Sequence, residues 1–222
     1  QIIQVKVIGK EAAIEKVQLE TDEKEEADYR AKTVFDSISA KDKQTQGIEL
    51  KVLSKIFEEN KLAQKMYNVQ MGKLKIDYAA NTLSAAKVEL IYQAANAKNK
   101  ETVKNTMSQI LSEVTSSQNS FYTVAKNKTQ ADAIEYVIGN QDSRTNLAKA
   151  VVSLKKNQTS ALIEEKDGFY IAHCIQTNSA ALQQQYRNQL VSEKQTESFQ
   201  KTYKIWSDKF DVKVSKALLA AN

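Results

Sequence analysis

The chain has 222 residues, 41% hydrophobic and 27% charged, and its 32 Lys and Arg against 27 Asp and Glu give a net charge of +5. That balance suits a folded protein with one or two cored domains and excludes a disordered chain. The single cysteine, Cys174, rules out an internal disulfide or multi-cysteine metal site, the lysines lack the dense patch that nucleic-acid binding shows, and no apolar run reaches 18 residues, so no metal, other cofactor, nucleic acid or membrane-spanning helix is expected.

Pro is absent and Gly occurs five times, a composition that favours long helices with few breaks. Residues 2–16 read as helix. The pattern is already helical at Gln1-Ile2-Ile3, so removal of an upstream segment, a secretion signal included, is expected. Thr21-Asp22-Glu23 reads as an N-cap with an acidic first turn, opening a helix to about Ser37. Gly47 precedes a third helix from Ile48 to about Gln70, with Leu53, Ile56, Ala63 and Met66 on one face. Residues 68–83 have poor periodicity and read as a crossover between domains.

The pattern then changes. Residues 86–92 read as a strand, and 100–116 as a helix whose Val103, Met107, Ile110, Leu111 and Val114 form one apolar stripe. A short helix at 121–125, a strand at 134–138 ending on Gly139 and a short helix at 144–154 follow. Asn157-Gln158 is turn-prone, residues 160–163 are extended, Asp167-Gly168 signals a hairpin, and 169–175 read as a buried strand. In that strand Tyr170, Ala172 and Cys174 share one face, and Phe169, Ile171 and His173 the other. Residues 180–210 read as one helix carrying Leu182, Tyr186, Leu190, Phe199, Tyr203, Trp206 and Phe210. At 1.5 Å per residue it spans ~46 Å, too long for a 90-residue domain alone, so its aromatic end is expected to return to the N-terminal helices. Residues 211–215 alternate like a short strand.

The gap-free run VVSLKKNQTSALIEEKDGFYIAHCI, residues 151–175, resembles the C-terminal half of a parvulin-type peptidyl-prolyl isomerase domain. The element order over residues 84–178 is also that of a parvulin. With QIIQVKVIGKEA at 1–12, FEENKLAQKMYN at 57–68 and ESFQKTYKIWSDKFDVKV at 197–214, nearly the whole chain resembles the PrsA and SurA-type extracytoplasmic foldases, in particular the clostridial parvulin-type lipoproteins. The resemblance implies an α+β fold. A helical chaperone-type part built from residues 1–83 and the returning helix of 179–222 would carry the inserted parvulin-like domain. It also implies an extracytoplasmic protein of a Gram-positive bacterium, membrane-anchored through a removed lipidated N-terminus, that binds unfolded secreted polypeptides.

Active parvulins are similar to one another in a pair of histidines on adjacent strands and in apolar residues that hold the proline ring. By the same count the histidine positions fall on Glu89 and Tyr170, and the methionine and phenylalanine of the proline pocket on Ser143 and Leu147. His173, the only histidine, faces away from the expected site. Glu89 and Tyr170 are then either a residual polar pair across the strands or remnants of a disused pocket. The expectation is a foldase or chaperone with isomerase activity weak or lost. The alternatives are an active isomerase with a non-standard pocket and a structural homodimer built on the tail helix. Met66, Tyr67, Met71, Tyr203 and Trp206 are candidates for client contact, against the plainer reading that each is core.

Overall fold

The structure, a computed structural model, describes residues 2–79, 82–116 and 119–210 and divides into two units, Gln1–Ile76 with Glu193–Asn222, and Asp77–Ser192. The first unit contains α1 (Ile2–Ile14), α2 (Thr21–Ser37), α3 (Ala40–Gln46), α4 (Leu50–Gly72) and the residues from 193 onward of α8 (Ala180–Asp208). Glu20, not Thr21, caps α2. Its side chain and that of Glu23 form a reciprocal capping box, with the Glu20 N–H donating to Glu23 Oε2 at 2.8 Å.

Four helices stand where the sequence suggested three before residue 73. The additional one, α3, is capped by Ser39, whose Oγ accepts from Asp42 N at 3.1 Å, and is closed by Gly47 at φ 62°. Its seven residues bury nothing, so it has no apolar stripe to betray it.

Alanines set the approach of α2 to α4. Ala27 and Ala31 are fully buried, and the ion pairs Lys61–Glu26 and Lys65–Glu23 border them. The unit's core joins Val7, Ile8 and Ala12 of α1 to Ala63 and Met66 of α4 and to Trp206 of α8. Burial of this kind is worth about 25 cal/mol per Å² of apolar surface, so Met66→Ala should cost about 2–5 kcal/mol. Trp206, near the end of α8, thus packs with α1 and α4. The short strand expected at 211–215 lies outside the described residues.

The second unit holds a four-stranded antiparallel sheet of β1 (Ala85–Ala94), β2 (Glu135–Gly139), β3 (Ile163–Glu165) and β4 (Gly168–Gln176) in the order β2-β1-β4-β3. With α5 (Lys100–Thr115), α6 (Phe121–Lys128) and α7 (Thr145–Ser153), the fold is α+β as expected. One sheet face, carrying Val88, Leu90, Tyr170, Ala172 and Cys174, packs on Leu147 and Val151 of α7. The other, carrying Ile91, Phe169 and Ile171, packs on Met107 and Ile110 of α5 and Phe121 and Val124 of α6. Both faces of the central pair β1–β4 are covered, which is why these strands read as nearly unbroken apolar runs.

The hairpin turn is Lys166-Asp167, and Gly168 pairs with Glu165 to open β4. A Cβ at Gly168 (φ 154°) would lie 2.1 Å from the Gln93 carbonyl oxygen, so only glycine fits. β3 begins three residues later than the extended stretch read from the sequence. Residues 157–160 still run beside β4, with Asn157 N donating to Cys174 O at 2.7 Å and Ser160 N to Ala172 O at 2.8 Å.

Candidate functional site

A concavity of about 420 Å³ opens on the α7 face of the sheet, lined by Leu90 and Tyr92 of β1, Tyr170 of β4, Tyr136 of β2, Gln130, Ala131 and Asp132 of the preceding loop, and Arg144. Leu90 alternates with Val88 and Tyr92 on the α7 face and supplies the apolar floor. Tyr92 and Tyr170 are register partners, so their side chains rise side by side and their rings stack at 4.6 Å between centroids.

The polar atoms around this cup are largely committed to one another. Tyr170 Oη donates to Asp167 Oδ2 at 2.5 Å, and Tyr92 Oη to the Asp167 carbonyl at 3.0 Å. Ala133 N donates to Tyr136 Oη at 2.9 Å, and Gln130 N to the Tyr92 carbonyl at 2.8 Å, which pins the loop wall to the sheet. Arg144 stands 5.6 Å over the Tyr170 ring. Its Nε and Nη2 donate to Oδ1 and Oδ2 of Asp142 at 2.9 and 2.7 Å, a bidentate fork. Burial, reinforced by the hydrogen bond to Asp167, raises the Tyr170 pKa. Burial also raises that of Tyr92, so both remain neutral phenols. The Asp142 hydrogen bonds hold Arg144 firmly charged.

Of the four family-implied positions only Tyr170 lines the cup. Glu89 faces His173 across the β1–β4 ladder, on the sheet face opposite Tyr170, so of the two readings of Glu89 and Tyr170 the residual polar pair is not formed. The β1 residues that share the face of Tyr170 are Val88, Leu90 and Tyr92. Leu147 is fully buried in the core beneath α7, and Ser143 is exposed outside the cup. His173 faces away as expected. Its ring stacks on Phe121 at 5.3 Å, Nδ1 lies 2.9 Å from Thr159 Oγ1, and burial lowers its pKa. Glu89 is raised, first by burial and then by the neighbouring Glu135 carboxylate.

The sequence reading missed Tyr92, Tyr136 and Arg144. The cross-strand register of two tyrosines was the only signal that could have found the first. A larger hollow of about 550 Å³ at the end of the sheet has several of its charged groups already paired: Lys100 binds Glu164 at 2.6 Å, and Glu165 accepts from Asn146 N and Leu147 N to cap α7.

In the helical unit Met66, Met71 and Trp206 are buried, and Tyr67 and Tyr203 are half-buried. Tyr67 meets Phe199 edge to face at 4.9 Å and borders a groove of about 330 Å³ with Val5, Ile8, Ala63 and three side-chain amides. The large apolar side chains that stay exposed in this unit are others, among them Val34, Val52, Ile56 and Ile205. No group of three or more metal-ligating side chains occurs among the described residues.

Residues 83–176 match the Rotamase family model, described as a PPIC-type PPIASE domain. Among solved structures the chain is similar to a peptidylprolyl isomerase, PrsA, from Bacillus anthracis, at 14% identity over 97% of this chain and 98% of that one, with a TM-score of 0.50. It also matches the foldase PrsA from Lactococcus lactis at 16% identity over 98% and 84%, TM-score 0.44. A third match is to a SurA-like chaperone structure from Campylobacter jejuni, at 12% identity over 95% and 84%, TM-score 0.36. No curated protein sequence matches significantly.

Proposed function

We propose that this protein, whose residues 83–176 match the PPIC-type rotamase family model in a chain with a PrsA-like fold, is an extracytoplasmic foldase that holds unfolded polypeptide and has little isomerase activity. The observation that carries the reading is the cup itself, a concavity with three tyrosine rings and a leucine floor beside polar walls, and with no histidine on its face of the sheet.

The physical argument concerns the amide. Rotation about X–Pro needs no nucleophile; it needs a site that binds the twisted amide better than the planar one. Twisting takes negative charge off the carbonyl oxygen and returns a lone pair to nitrogen. The phenol protons of Tyr92 and Tyr170 are held by Asp167, which leaves the Tyr136 hydroxyl and, more strongly, the remaining Arg144 N–H groups as donors to the cup. A cation that meets a carbonyl oxygen favours the planar, charge-separated amide, so this cup should bind a peptide without speeding its rotation.

In this reading residues 84–178 form the isomerase-type domain, and residues 1–83 with 179–222 the helical part. Tyr67 and Tyr203 give that part partly open aromatic surface for clients. The clients are unfolded secreted polypeptides, and a lipidated upstream segment supplies attachment to a membrane. The test pairs NMR exchange on a short X-Pro peptide with an aggregation assay on a reduced client. Suppressed aggregation with exchange at the background rate is expected. Exchange well above background would replace this reading with an active isomerase of non-standard pocket.

A further inference from the structure

Arg144 is the one cation among the residues that line the cup, and the group there whose chemistry could recognise an acidic client side chain. A guanidinium selects carboxylates through two parallel N–H donors on one edge. Here the Nε/Nη2 edge is occupied from within: both nitrogens bind Asp142, which also accepts the Arg144 backbone N–H at 2.9 Å, and only the outer Nη protons remain. Asp142 is also well shielded, with its side chain 13% exposed, so the pair is not a loose surface contact.

We infer that Asp142 is a specificity-determining residue that fills the Nε/Nη2 edge of Arg144 and offsets its charge, and so makes the cup take neutral apolar polypeptide segments in preference to acidic ones. The inference rests on the cup being a polypeptide-binding site. An acidic side chain arriving at the cup meets a guanidinium already paired with Asp142, and a second carboxylate, Asp132, in the same lining. It would give up its hydration without gaining the fork. A neutral side chain loses nothing of that kind and gains the faces of the rings and the Leu90 floor.

The test uses the full chain with ring-labelled tyrosines, titrated with two blocked pentapeptides, Ala-Ala-Leu-Pro-Ala and Ala-Ala-Glu-Pro-Ala. For the unsubstituted protein the leucine peptide should bind about tenfold more tightly, a difference of ~1.4 kcal/mol. Asp142→Asn keeps the shape and removes the charge, and should raise affinity for the glutamate peptide enough to bring the two near parity. The gain should persist at ~0.3 M salt, where the Debye length is under 8 Å and distant charge is screened. Asp142→Ala, checked for folding by thermal melt, should behave alike. Equal affinities for the unsubstituted protein would overturn the inference, as would an unchanged ratio in both folded variants, and peptide binding at the cup would still stand. If neither peptide moves the Tyr92 and Tyr170 ring signals, the cup does not bind peptide, and the proposed function falls with the inference.

Discussion

Tyr92 and Tyr170 face each other across the two central strands, and both send their phenol protons to one residue, Asp167. The stacked pair gives the cup its hardest wall, and its energetics can be separated. Tyr170→Phe keeps the ring and removes one hydrogen bond, and should lower stability by about 1 kcal/mol. Tyr170→Ala also empties a buried site and should cost about 3–5 kcal/mol. Urea unfolding of both variants checks the difference; equal losses would mean that the ring contributes nothing beyond its hydroxyl.

Histidines should restore amide rotation only on the face that carries the cup. Leu90→His with Tyr170→His puts both imidazoles on that face, and exchange of an X-Pro peptide should rise above the unsubstituted protein. Glu89→His with Tyr170→His puts them on opposite faces and should leave exchange at background. Replacing the Leu90 floor with a polar ring should cost about 1–3 kcal/mol, so both pairs are compared below their melting temperatures.

Glu89 predicts a pH dependence with a definite sign. Its folded pKa lies above the ordinary value of 4.5, because burial and then Glu135 disfavour the carboxylate. The stability linked to its protonated form is therefore fully present below 4.5 and is lost as pH rises through the folded value. Glu89→Gln should stabilise the protein at pH 7, with the advantage shrinking as pH falls toward 4.5. Paired melting curves at pH 4.5 and 7 measure this, and a pH-independent difference would refute it.

In the helical unit Lys209 Nζ meets Glu11 Oε1 at 2.7 Å, while Glu11 is only 3% exposed and its Oε2 has no hydrogen-bond partner. Lys209→Ala should destabilise that unit by about 1–3 kcal/mol, because it leaves a buried carboxylate unsatisfied. Glu11→Gln in the same background should recover part of the loss. Denaturant unfolding followed through Trp206, which packs in the same core, reads both.

Periodicity carried much of the fold. The stripe of α5, the buried runs of β1 and β4 and the aromatic face of α8 each answer to a real buried surface. α3 has no such surface and was invisible, and three-residue β3 is too short to locate by alternation. The candidate site was harder. Because side chains on a strand alternate with period two, a one-residue error exchanges the faces of a sheet. The resemblance pairs Glu89 with Tyr170, whereas the register sets Glu89 opposite His173 and puts Val88, Leu90 and Tyr92 on the face of Tyr170. Arg144 and Asp142 lie two residues apart in a loop, and no sequence pattern marks that spacing as a fork.

The hairpin turn has a practical consequence. Asp167 takes both phenol protons, and its carbonyl also accepts from Ala95 N at 3.0 Å, so turn and cup are mechanically joined. Lys166, beside it, is exposed and lines no part of the cup. A fluorophore attached at position 166 would therefore sense occupancy of the cup from outside it, turning the hairpin into a built-in reporter for screening clients.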